Sequence, residues 1–197
     1  MPFPVFTGFF IFTVVSAFTP GPNNIIALSS GVGFGFKRTL PHVWGVAVGF
    51  AIMTFLVGLG VGLIFERWPW VQQVLLILAT FYLVYLAWNL ARSGSFHTGT
   101  VAEPLSFFQS VLIQWLNPKA WLAIITILSA FVPKDSFWIS LSIVIAVDVV
   151  IAWLAVATWA LFGVVIKRWL DRPKAVRIFN IVMAALLVLS LIPSFFH

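Results

Sequence analysis

Lys119 follows Asn117 and Pro118 in the middle of one apolar run, and Asp148 sits in the middle of the next. A lysine at that depth in a membrane costs at least about 2.5–3.5 kcal/mol on insertion scales, so by default it marks a site. Counted from Ser106 or back from Val132, Lys119 is about 20 Å from either end of its run at 1.5 Å per residue, too far for its head to snorkel out. Asp148 lies ten residues in from Trp138 and is the only acid well inside an apolar run. It could pair with Lys119 as a structural ion pair, bind a ligand ammonium, or carry a coupling proton. The residues leave all three roles open, and they are not exclusive.

A second constellation interrupts the first apolar run: Thr19-Pro20-Gly21-Pro22-Asn23-Asn24. Proline removes an N–H and clashes with the carbonyl four residues earlier, and glycine adds backbone freedom. The run should therefore kink strongly or unwind there. Freed carbonyls cannot face lipid, so such a segment must be buried in protein or line a wet cavity. The half-helix that follows would start near Asn23-Asn24, its N–H groups pointing at the gap and favouring an anionic group such as a carboxylate. A kink used only for packing is the plain alternative; two asparagines directly after the break favour a binding role.

These residues need a membrane-spanning frame, and the composition supplies it. Of 197 residues, 62% are hydrophobic and 8% charged, with a mean hydropathy of +1.11. That is far below the quarter or so of charged residues in a soluble domain, so the chain reads as an all-α integral membrane protein. Six runs are long enough to span, at about 5–30, 43–65, 69–90, 106–132, 138–166 and 176–196. The loops after the first, third and fifth hold Lys37, Arg38, Arg92, Lys167, Arg168, Arg172, Lys174 and Arg177; those after the second and fourth hold Arg67 and Lys134. The positive-inside rule then puts the odd loops in the cytoplasm and both termini outside. The N-terminus lacks the positive n-region of a cleaved signal peptide, so the first run is kept as mature structure.

Three spans per half invert the second half relative to the first. The expectation is two inverted three-helix repeats, residues 1–92 and 106–197, joined by a cytoplasmic linker at 93–105, with helices 1 and 4 broken. Paired breaks of this kind point to a transporter's binding site. The candidate substrate-binding residues are Thr19, Pro20, Gly21, Pro22, Asn23, Asn24, Asn117, Pro118 and Lys119, and Asp148 is the proton-coupling candidate.

Other features exclude more than they assign. With no Cys there is no disulfide framework or Cys-ligated metal, and no metal site is expected. The net charge of +6 flanks the spans instead of forming a stripe or arm, which argues against nucleic acid. Neither a His-Glu-x-x-His, nor paired acids within one span, nor a Cys nucleophile supports an intramembrane enzyme, and no charged ring supports a channel. Gly45-x-x-x-Gly49, with Gly58, Gly60 and Gly62, gives span two a small-residue face for close packing inside the chain or in a homodimer. His42, just past Lys37-Arg38, reads as a surface histidine. The rival function is a non-transporting membrane protein (scaffold, assembly factor or lipid scramblase) with Lys119–Asp148 as its structural pair.

Thr19-Pro20-Gly21-Pro22-Asn23-Asn24, Gly33-x-Gly35-x-x-Arg38, Gly45-x-x-x-Gly49 and Asn117-Pro118-Lys119, in this order, resemble the LysE/RhtB superfamily of bacterial amino-acid exporters. The resemblance implies a six-helix carrier in the bacterial inner membrane that exports amino acids or close derivatives, driven by an ion gradient, with no organic cofactor. Thr19 to Ser29, and Ser106-Phe107-Phe108 through Asn117 to Phe131-Val132-Pro133, look most like the cysteine/O-acetylserine exporters. Pro118 and Asp148 look closer to other branches, which leaves threonine or homoserine as alternative small neutral substrates. In this reading the Asn23-Asn24 helix start and Lys119 take the substrate carboxylate. Carbonyls near Thr19 and Asn117, with Asp148, take the ammonium.

Overall fold

A computed structural model describes residues 1–61, 67–92, 104–170 and 172–190. Among them every regular element is helical. The first apolar run forms α1 (Phe3–Phe18) and α2 (Pro22–Phe34), which meet at 48° across Thr19–Gly21. The fourth forms α5 (Phe107–Ile113), continued by a 3₁₀ turn at Gln114–Leu116, and α6 (Pro118–Phe131), bent by 71°. The intervening helices are α3 (Phe36–Leu56) and α4 (Pro69–Arg92). The last two are α7 (Phe137–Ile166) and α8 (Pro173–Leu189). The stretches Phe36–Gly60 and Lys134–Trp169 are each long and apolar enough to cross a membrane, and each bent pair qualifies as a span when taken together. Most of the expected linker at 93–105 and the ends of the second and sixth expected spans lie outside the described residues.

Both breaks have the causes read from sequence. Pro22 and Pro118 each occupy the first helical position of the following helix, where a missing N–H costs nothing and the fixed φ suits the helix. The loop expected after the first span is shorter than foreseen. Gly35 alone, at φ 80°, turns the chain from α2 into α3, and that conformation favours glycine. Lys37 and Arg38 therefore lie in the first turn of α3, and His42 falls inside a helix that begins at Phe36 rather than at its edge near 43.

Glycines set the helix crossings. A Cβ on Gly31 would lie 2.1 Å from the Ala160 carbonyl oxygen, and one on Gly163 would lie 2.2 Å from that of Leu28. The α2 and α7 backbones thus touch reciprocally, as small-residue faces permit. Gly45 and Gly49 do the same for α3 against α5, where added methyls would meet Phe107 and Val111 backbone at 2.4 and 2.9 Å. The glycine face of span two is therefore used within the chain. Ile25 and Leu28 of α2 join Leu83 of α4 with Met183 and Leu187 of α8 in one buried cluster, and Phe9 of α1 joins Ile127 of α6 and Val144 of α7 in another.

Candidate functional site

The α1–α2 break shows where the freed carbonyls go. The Val15 carbonyl takes the Thr19 N–H at 3.1 Å. The Ser16 carbonyl takes the Thr19 hydroxyl at 2.8 Å. Asn24 Nδ2 donates to the carbonyls of Ala17 and Thr19 at 2.7 and 2.9 Å, and Trp159 Nε1 donates to that of Phe18 at 3.2 Å. Each exposed carbonyl at the end of α1 has a partner, as burial in a bilayer demands. Asn24 is thereby a backbone substitute: its amide stands in for the Gly21 and Asn23 N–H groups that a continuous helix would aim at Ala17 and Thr19, while the Thr19 hydroxyl and Trp159 serve the Ser16 and Phe18 carbonyls that Pro20 and Pro22 cannot reach.

Lys119 completes the break from the other half of the chain. Its Nζ donates to Thr19 Oγ1 at 2.8 Å, to the Thr19 carbonyl at 2.9 Å and to the Pro20 carbonyl at 3.4 Å. A Cβ on Gly21 would stand 3.0 Å from Lys119 Cδ, so glycine here leaves room for the lysine stem. The start of α2 has no side-chain cap, whereas Asn117 Oδ1 caps α6 by accepting the Lys119 N–H at 3.1 Å. The carbonyls near Thr19 that were expected to hold an ammonium are thus occupied by Asn24 and Lys119. The Asn117 carbonyl accepts the Ala120 N–H at 3.0 Å.

A cavity of ≈ 80 Å³ lies against this junction. Of the sequence-predicted residues, Gly21, Pro22, Asn23, Asn24, Asn117, Lys119 and Asp148 line it, and Thr19, Pro20 and Pro118 do not. Asp148 enters from α7. Its Oδ1 accepts the Thr13 hydroxyl at 3.1 Å, and its Oδ2 is buried without a hydrogen-bond partner. Among the described residues no ion pair joins Lys119 to Asp148: the lysine points into the α1–α2 break and the carboxylate toward α1. Thr13 and Ser16 also line it, and the rest of the wall is apolar, with Val46, Phe50, Ala123 and Ile127. The cavity thus brings together a cation beside an uncapped helix start, a separate buried carboxyl group, and a mostly oily lining.

A family model described as LysE type translocator matches residues 14–190. The chain belongs to that family. It is also similar to curated relatives named cysteine/O-acetylserine efflux protein. Those of Escherichia coli (strain K12) and Shigella flexneri are each 36% identical over 194 residues, which is 96% of this chain and 97% of theirs. That of Escherichia coli O1:K1 is 35% identical over the same coverage. No solved structure matches.

The translocator also builds polar contacts that the sequence reading misses. His42 is fully buried, correcting its reading as a surface residue. Its Nδ1 lies 2.8 Å from Ser110 Oγ of α5 and its Nε2 3.2 Å from the Asn23 carbonyl of α2. Gln114, also fully buried, pairs with Asn23: Asn23 Nδ2 donates to Gln114 Oε1 at 2.9 Å, and Gln114 Nε2 donates to Asn23 Oδ1 at 3.4 Å and to the Ser110 carbonyl at 3.1 Å. Thr13, the partner of Asp148, carries no sequence signal of its own. Gln114 stands three residues before Asn117 in an otherwise apolar run, and that alone could have flagged it.

Proposed function

We propose that this translocator is a secondary active exporter of small neutral amino acids or close derivatives, cysteine and O-acetylserine first among them, in the bacterial inner membrane. One observation carries the substrate class: Lys119 with the uncapped start of α2, and the separate Asp148, line one small cavity. An amino acid carries one carboxylate and one ammonium, and these groups match them. The carboxylate goes to the α2 N–H groups and the Lys119 ammonium, where helix end and cation act together. The ammonium goes to the Asp148 carboxylate. A volume of ≈ 80 Å³ holds about five to eight water-sized groups, on the scale of a small amino acid with about seven non-hydrogen atoms. The efflux names of the curated relatives support both substrate and direction.

In the frame that supports this reading, six spans form two inverted three-helix repeats with both termini outside, and the cavity is exposed to the two sides alternately. Asp148 is the proton-coupling group: it holds either a proton or the substrate ammonium, so inward proton movement drives outward substrate movement. The rival reading of a non-transporter needs a Lys119–Asp148 structural pair, which is not made among the described residues. Counterflow in proteoliposomes preloaded with cysteine, O-acetylserine, threonine, homoserine, leucine or lysine tests the proposal. Saturable exchange with the small neutral solutes is expected; exchange of none of them by folded protein would overturn it.

A further inference from the structure

The His42 contacts do not balance if the ring is neutral. The Asn23 carbonyl can only accept, so Nε2 must carry a hydrogen. Ser110 Oγ lies 2.8 Å from His42 Nδ1 and also 2.8 Å from the Ser106 carbonyl. A hydroxyl has one hydrogen and can donate along only one of these. If it donates to Nδ1, two acceptor oxygens are left facing each other at 2.8 Å. If it donates to Ser106, Nδ1 must itself donate to Ser110. Three contacts in a row need three hydrogens: the imidazolium ring supplies two and the Ser110 hydroxyl the third.

We propose that His42 is a second proton-carrying residue of the transport cycle, one layer behind the cavity wall, which holds its proton while α2, α3 and α5 are latched together. This rests on the exporter reading and extends it. The latch is connected directly to the site: Asn23 lines the cavity, gives its carbonyl to His42 and pairs its side chain with Gln114. A buried charge is costly unless fully hydrogen-bonded. The proton is therefore kept while the Asn23 and Ser110 oxygens are in place, and is lost when α2 and α5 part. By the positive charges at the start of α3, this latch lies toward the cytoplasm relative to the breaks. Loading in the latched state and release on opening inward would move a proton inward as substrate moves outward. Of the helices packed against α3, α2 and α5 carry no titratable side chain, α6 carries Lys119 and α7 carries Asp148, while α3 itself carries Lys37 and Arg38 in its first turn. Among the described residues none of these bonds the ring.

Two measurements decide it. The full chain carrying H97Q and H197Q, labelled with ¹⁵N-histidine and held in lipid without substrate, reports His42 alone. Two protonated ring nitrogens near neutral pH, giving way to one as pH rises, are expected; a single protonated nitrogen at every pH at which the protein stays folded overturns the proposal, whether or not the chain transports amino acids. In proteoliposomes clamped at zero membrane potential, the substrate gradient at zero net flux should respond to a pH gradient about tenfold less per pH unit in His42→Gln than in wild type, the equivalent of one proton. An unchanged response in a His42→Gln protein that elutes and melts as wild type also overturns it. Absence of all transport in wild type would defeat the exporter reading, and the nitrogen spectrum would then decide the protonation of His42 by itself.

Discussion

Replacing Lys119 by alanine should separate binding from folding. The three acceptors of Nζ are not equally dependent on it. Thr19 Oγ1 still donates to the Ser16 carbonyl, and the Thr19 carbonyl still accepts from Asn24. Pro20 loses only a contact that was already long, at 3.4 Å, and the residue is exposed. The fold should therefore lose no more than about 1 kcal/mol, the net worth of one ordinary hydrogen bond. A substrate carboxylate, by contrast, would lose a charge-assisted partner worth about 1.5–3 kcal/mol. That is about a 10- to 150-fold rise in the substrate concentration needed for half-maximal exchange. The assay is counterflow across a range of external substrate, beside a melting curve in the same detergent. Wild-type affinity in Lys119→Ala would refute the assignment of the carboxylate to this corner. An equal collapse of melting temperature and transport would refute the claim that the break is held mainly by Asn24.

Asp148→Asn should raise the substrate concentration needed for exchange, because the ammonium loses its carboxylate, and the exchange that remains should show a zero-flux substrate gradient that follows a pH gradient about tenfold less per unit, since one titrating carboxylate is gone; pH-jump efflux from proteoliposomes reads this. Asn24→Leu should destabilise the fold by about 1–3 kcal/mol, because the Ala17 carbonyl loses its donor while that of Thr19 keeps Lys119, and a melting curve will show it. Gly31→Ala should cost about 1–3 kcal/mol or more, because the methyl would meet rigid backbone at Ala160, again seen as a lowered melting temperature. Gly21→Ala meets only the flexible lysine stem; it should leave melting unchanged and weaken substrate affinity by displacing Lys119.

The legible parts of this site are the ones that violate a membrane rule. Three prolines, a lysine and an aspartate inside apolar runs cannot be placed by composition alone, so each marks a local exception. Gly45 and Gly49 are legible as a close-packing face but not as to their partner, because a glycine stripe says how near a helix comes and not which one. The positions of Asn24 and Trp159 are not readable: their donors meet carbonyls five to seven, or many more, residues away, through a bend whose angle no residue type specifies. His42 is misread from sequence because Lys37-Arg38 looks like part of a loop. Gly35 reverses the chain in a single residue, which carries α3 back to Phe36 and buries a histidine that the apolar pattern puts at the edge.

The reciprocal crossing of Gly31 and Gly163 has a genetic consequence. It fastens a helix of the first sequence half to a helix of the second by backbone contact, and Gly45 and Gly49 fasten another such pair. Neither half can then complete its own interior, since each helix finds its tightest neighbour across the linker. Cutting the gene between the codons for residues 92 and 104 should give two polypeptides that are degraded when made singly and reconstitute a working carrier when made together.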